Sequence, residues 1–195
     1  PRDVLAAIAY AETRFADPRA LDVADGDHHT GDVGALHLRA STTGGVDTLA
    51  RAATLLGVTR AQLQSNVGLG VAGAAAVLAE LGRDTGARGG DLATWSEAVA
   101  RFSSFGERSM QVSYAHQVYD LLRAGMNDTA YSGELVTVGA HDALPPIETL
   151  LAVNQAAQFS ADYGPAVWSP AAAPRNTRAA PSSLDPSGSR ATTSS

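Results

Sequence analysis

The chain has no cysteine and no lysine. The first absence excludes disulfides, thiol catalysis and cysteine-held zinc, while leaving the redox compartment undetermined. The second leaves arginine as the only permanently cationic side chain. The arginines are dispersed, and carboxylates outnumber them to give a net charge of −6. Phosphate-binding surfaces need a local excess of cations, so no nucleic acid partner is expected. No apolar run approaches the roughly 20 residues that cross a bilayer, so no membrane insertion is expected. The local signature of a serine nucleophile, G-x-S-x-G, is also missing.

What is present, 195 residues, suits one globular domain of about 100–200 residues with an appended segment. The chain opens on Pro1 without an initiator methionine or signal peptide. That is expected of a processed or trimmed product, and it hides the targeting of the protein.

Helical periodicity dominates the first 125 residues. Asp3 is placed to cap a helix over Val4–Phe15, whose stripe is Val4, Ile8, Ala11 and Phe15. Residues 16–40 read as loop. Asp47 is placed to cap Thr48–Leu56, with Gly57 as the stop. Thr59 is placed to cap a short helix through Gln64. Gly70–Gly82, "GVAGAAAVLAELG", predicts a helix of small residues lying close against a neighbour. Asp91 is placed to cap Leu92–Phe105, with Leu92, Trp95, Val99 and Phe102 as its stripe. Ser109–Ala124 forms the last helix, ended by Gly125; Val112, His116, Val118, Tyr119 and Leu122 are its inward candidates. The segment "TAYSGELVTVGA" predicts a small hairpin around Ser132-Gly133. From Ser169 onward, Pro, Ala, Ser and Thr dominate, and such a composition cannot bury enough apolar surface to offset ordering entropy. The expected organisation is a mainly α domain over 1–125, an irregular inter-domain segment over 126–168 and a disordered tail over 169–195.

Glu12 stands at the border of the first apolar stripe. Ionised groups avoid burial unless they are paired or used. Glu12 is therefore either a solvent-facing edge residue or a general acid whose pKa an apolar wall raises. The surrounding motifs bear on this choice. "AETRF" ends the first helix and "GDVGALHL" follows a variable loop. The Ala/Gly-rich helix, "AVARFSSF" and "YAHQVYDLL" come next. This ordered set resembles the lysozyme-like domain of soluble lytic transglycosylases over about Val4–Gly125. Glu12 and Phe15 match the motif that carries that family's catalytic glutamate. Gly34, Ala35, Leu36 and His37 match its cleft-lining segment, and Gly73–Leu78 its small-residue helix. Ala100, Arg101, Phe102 and Ser103 match its "A-Y-N" segment, and Tyr114 with Val118 its closing helix. Further on, "LRAGMNDTAYSGELVTV" and "DYGPAVWSPAAAPRNTR" are similar to the connector of secreted actinobacterial N-acetylmuramoyl-L-alanine amidases, in which a zinc amidase domain follows.

The resemblance implies a secreted, cell-wall-associated domain that binds peptidoglycan glycan strands. It implies cleavage of the MurNAc–GlcNAc bond with Glu12 alternating as acid and base. Gly34, Ala35, Leu36 and His37 would line the cleft through backbone groups and the imidazole, with Phe102, Ser103 and Tyr114 also lining it, and Arg14 and Arg39 would contact peptide carboxylates. No cofactor or metal is implied, and a downstream amidase domain is an expected partner. Three departures point elsewhere. His37 stands for the family's Gln, Phe102 for its Tyr and Ser103 for its Asn, and a phenyl ring cannot donate the tyrosyl hydrogen bond. Also, Gly70 replaces an Asn that often precedes the small-residue helix. These favour the alternative of a non-catalytic wall-binding module that positions the amidase; a purely structural interaction domain is a third reading.

Two other motifs are weaker. "DGDHHTGD" gathers Asp25, Asp27, His28, His29 and Asp32, but it breaks the calcium-loop pattern at the fifth and sixth positions. A solvated substrate-side loop is the expectation there, with a second catalytic carboxylate as the alternative. "GLGVAG", Gly68–Gly73, fits a dinucleotide fingerprint formally. It follows the polar, helix-prone "RAQLQSN" rather than a buried strand, so close helix packing is the expected role of its glycines. Trp95, Phe102, Phe105 and Tyr119 are expected in the core rather than as sugar-stacking platforms.

Overall fold

Capping chemistry sets most of the helix boundaries. The computed structural model describes residues 1–16, 34–41 and 44–154. In it, α1 spans Arg2–Thr13 and α2 Thr48–Leu56. Asp47 accepts from the amide of Ala50 at 2.7 Å, and Gly57 closes α2 at φ 65°. Thr59 and Gln62 form a reciprocal capping box on α3, Arg60–Ser65, which satisfies two amides that the helix itself leaves unpaired. Asn66 caps α4, Val67–Asp84, through Leu69. A 3₁₀ turn, Leu92–Trp95, leads into α5, Ser96–Phe102. Then α6 covers Arg108–Ala124. Strands β1, Met126–Thr129, and β2, Leu135–Val138, pair antiparallel from Met126↔Val138 to Thr129↔Leu135. Residues 147–154 are again helical. The protein is mainly α, with one small antiparallel sheet among the described residues.

Several boundaries depart from the sequence reading, and α4 runs three residues earlier and two later than the expected Gly70–Gly82. Asp3 does not cap α1; the helix starts two residues earlier than expected, at Arg2, and ends at Thr13 rather than Phe15, and the Asp3 carboxylate lies 3.1 Å from Nε2 of His141. The helix expected over Leu92–Phe105 is tighter at its start and ends at Phe102. There the Ser103 hydroxyl donates back to the Ala100 carbonyl at 2.7 Å, and Ser104 adopts φ 64°. The inward face of α6 is Tyr114, Ala115, Val118, Tyr119 and Leu122, while His116 is exposed. Residues 17–33, including the acidic histidine loop, and 155–195, including the expected tail, lie outside the described residues.

The small-residue helix α4 is the hub, packing on α2, α3 and α5, while α6 packs on α1 and α5. A methyl group on Gly73 would sit 2.9 Å from Cβ of Ala52, and one on Gly82 would sit 2.6 Å from the Trp95 ring. The missing side chains are what let the helices approach. Trp95 and Tyr119 lie in the core, and Phe105 packs against it half-buried. The Tyr119 hydroxyl donates to the Leu92 carbonyl at 2.6 Å, and burial pushes its pKa far above the ordinary phenol range. Tyr119→Phe strips the half-buried Leu92 carbonyl of this donor. It should cost about 1–2 kcal/mol of stability, read by urea denaturation.

The core does not stop at residue 125. Met126, Val138, Ile147, Leu150 and Leu151 belong to the same apolar cluster as Val4 and Ile8. The Tyr131 amide donates to the Phe15 carbonyl at 3.0 Å, and the His141 amide to the Leu122 carbonyl at 3.0 Å. Asn154 donates to the Ala93 carbonyl at 3.2 Å and to the Ser96 hydroxyl at 2.6 Å.

Candidate functional site

Helix α1 brings Glu12 to its last turn, and the chain leaves that helix through two left-handed residues, Arg14 at φ 48° and Phe15 at φ 57°. Gly34 at φ 73° opens a turn through residue 37, and His37 follows at φ 41°. With Ser104, these are the non-glycine residues of positive φ among the described residues. Such conformations are disfavoured for L-residues and persist where the surroundings over-determine them. All four lie in the segments that carry or border Glu12.

The side chains converge accordingly. Nδ1 of His37 lies 2.9 Å and Nη2 of Arg39 3.1 Å from the same oxygen, Oε2 of Glu12. With the proton on Nδ1, His37 donates to the carboxylate; its 3.5 Å approach to Arg39 is then two donors crowding one acceptor. Arg39 is itself held. Its Nη1 donates to the Ser103 carbonyl at 3.4 Å, and its guanidinium stands 5.6 Å from the centre of the Phe105 ring, within cation–π range. The Arg39 backbone is fixed by its amide donating to Oγ1 of Thr48 at 2.8 Å.

The Glu12 side chain is only 8% exposed. Burial acts to raise its pKa. The His37 hydrogen bond and the Arg39 charge outweigh it, helped by the charge of His37 and by Tyr114, so the net shift is downward. This corrects the sequence reading, in which an apolar wall raises that pKa: the wall exists, but the cations across it decide the sign. The buried Tyr114 hydroxyl faces the carboxylate, and burial with that negative neighbour pushes its pKa well above the ordinary phenol value. Even so, it completes no hydrogen bond of regular geometry with the described residues.

Glu12 opens onto a cleft of about 320 Å³, which Arg39, Phe105, Met110, Ser113, Tyr114 and Gln117 also line. A groove of about 470 Å³ adjoins it along α1 and α6, sharing Ala11, Ser113 and Gln117 and continuing past Tyr10, Arg14 and His116. Arg14 stacks over Tyr10 there, 5.2 Å from the ring centre, rather than reaching the cleft.

No protein-family model, curated protein or solved structure matches this chain. The assignment of site residues therefore rests on geometry. Glu12, His37 and Tyr114 come together. Gly34 and Ala35 shape the turn that delivers His37, and the Ala35 carbonyl accepts from Thr13 at 3.4 Å. Leu36 and Phe102 are core residues, 3% and 2% exposed, because their apolar side chains fill the space behind the site rather than its mouth. The buried Ser103 acts through its carbonyl, on Arg39. The sequence reading omitted Phe105, Met110, Ser113 and Gln117 from the site. The spacing of Met110, Ser113 and Gln117 along one helix face was the available signal. No grouping of three or more His, Asp or Glu suited to a metal occurs among the described residues. None of the described helices is long and apolar enough to cross a membrane.

Proposed function

We propose that the chain binds peptidoglycan glycan strands in this cleft and its adjoining groove, and that its resting form does not cleave them. The observation that carries this is the state of Glu12. A general acid must hold a proton near neutral pH. A carboxyl kept below its ordinary range by two donors on one oxygen has none to give. As a ligand site the same groups suit a hydroxyl-rich chain. The carboxylate accepts from hydroxyls, Arg39 donates, and Phe105 and Met110 offer apolar surface to the C–H faces of a sugar ring. The run of cleft into groove suits an extended polymer better than a compact molecule. The ordered motifs support a lysozyme-like ancestry. With the connector-like stretches, they support a secreted module preceding an amidase domain.

Cleavage remains a second reading, on one specific ground: burial is the strongest single influence on Glu12. A ligand that draws Arg39 away would leave that influence unopposed by the guanidinium and raise the pKa.

Incubation with insoluble peptidoglycan separates these readings. The expected result is co-sedimentation of the wild type with no soluble glycan fragments by mass spectrometry, and weaker retention of Glu12→Gln. Fragments released by the wild type and not by Glu12→Gln would establish cleavage. A wild type left in the supernatant would overturn wall binding.

A further inference from the structure

A larger cavity of about 810 Å³ lies among α2, α5 and α6 and shares no lining residue with the Glu12 cleft. Its charged residues are Asp47, Arg51, Glu97, Arg101 and Arg108. Glu97 is the centre of the group, its side chain 5% exposed. Arg108 grips both of its oxygens, Nη1 to Oε1 at 3.1 Å and Nη2 to Oε2 at 2.7 Å. This two-point grip is the strongest form of such a pair. Arg101 adds a third bond, Nε to Oε1 at 3.0 Å.

One carboxylate thus faces two guanidiniums. The remaining charges at the cavity are already matched: Asp47 caps α2 and pairs with Arg60 at 3.1 Å, and Arg51 binds Glu80 with Asp84 4.0 Å away. The four arginines of this group, Arg51, Arg60, Arg101 and Arg108, balance Asp47, Glu80, Asp84 and Glu97 as a whole, so the excess of positive charge is local to the Glu97 end, at Arg101. Its Nη1 and Nη2 donors hydrogen-bond to none of the described residues, and its side chain is 39% exposed at the cavity wall. Anchoring Glu97 requires only Arg108. A second arginine fixed at Nε, with its outer donors presented to a concavity, has the form of an anion receptor.

We propose that this cavity is a second binding site, for a carboxylate-bearing ligand, with Arg101 as its principal donor. The single spare guanidinium at the Glu97 end favours a monoanion. A phosphate monoester would bring more charge than that one guanidinium offsets and would meet Glu97 and Asp47 as like charges. Where the ligand is wall material, the carboxylate is the free end of a peptide attached to the glycan strand. That identification rests on the wall-binding reading, whereas the anion site itself does not.

The test is a titration of the full chain followed by the Nε–Hε resonances of Arg101 and Arg108. The probes are N-acetyl-alanyl-alanine, its C-terminal amide and inorganic phosphate. The dipeptide should shift the Arg101 resonance saturably, and the amide should not. Arg101→Gln keeps the Arg108–Glu97 pair and should fold. It should weaken dipeptide binding about tenfold, the equivalent of one lost charge-assisted bond, and Arg101→Lys should recover part of it. No saturable shift, equal binding of the amide, tighter binding of phosphate, or unchanged affinity in Arg101→Gln would overturn the proposal. If the dipeptide fails to bind while the wild type still sediments with peptidoglycan, this site falls and the wall-binding reading stands. Dipeptide binding without sedimentation gives the reverse.

Discussion

Gly45→Ala should destabilise the protein by about 3 kcal/mol, at the upper end of what overpacking usually costs. The new methyl group would lie 1.9 Å from the Ser104 carbonyl oxygen, 2.5 Å from its carbon and 2.8 Å from the Phe105 carbonyl carbon. These are main-chain atoms, so no rotamer change relieves the clash. The segment cannot drift away freely either. Ser104 Oγ lies 3.1 Å from Thr48 Oγ1, and Gln111 donates to the Phe105 carbonyl at 2.8 Å. Gly90→Ala is the matched control: nothing lies within 4 Å of its added methyl and its φ is not positive, so a near-neutral effect is expected. Urea denaturation of the two variants side by side checks the difference. The same displacement would move the carbonyl that holds Arg39 and the ring beneath its guanidinium. Peptidoglycan retention by Gly45→Ala should therefore fall even at temperatures where the variant is folded.

The second large effect concerns Arg39. Arg39→Gln should raise the pKa of Glu12 above its wild-type value, because burial then meets less opposition. A carbon-13 titration of the Glu12 carboxyl measures this directly, and an unchanged pKa would remove Arg39 from its assigned role. The same shift has a stability signature. In the wild type the folded pKa of Glu12 is lower than the 4.5 of an unperturbed glutamate. The folded state then binds fewer protons than the unfolded state in that window. Its contribution is complete above about pH 4.5 and is lost as pH falls through the lower folded value. Arg39→Gln should shrink this acid-sensitive component, and Glu12→Gln should eliminate it.

Much of the helical framework was legible in local chemistry. Asp47 with Gly57, Thr59 with Gln62, and Gly125 act within a few residues of the ends they define, and the Gly73 and Gly82 contacts follow from the small-residue run of α4. What was not legible depends on distant partners. Asp3 reads as a cap because nothing nearby shows that His141, 138 positions away, takes its carboxylate. Glu12 is the sharper case. Its position at the edge of an apolar stripe was plain, and it does line a cleft. The sign of its pKa shift depends on His37 and Arg39, which a strained turn delivers from another part of the chain. Spacing within one helix carries no information about which cations cross from a neighbouring segment. Leu36 and Phe102 match motif positions, and their buried side chains show that such a match does not say which side of the backbone meets solvent.

The ties from the hairpin and from residues 147–154 back to α1 and α5 set an order on biosynthesis. Helix α1 leaves the ribosome before the elements it packs on, yet the atoms that hold its two ends, His141 at Asp3 and the Tyr131 amide at Phe15, are translated more than a hundred codons later. Until they arrive, the apolar face of α1 lacks part of its cover and the carboxylate-bearing turn is not locked. The nascent chain thus completes the Glu12 site only near the end of the domain's synthesis, and a fragment halted at Gly125 would carry every residue of the cleft without the strap that fastens it.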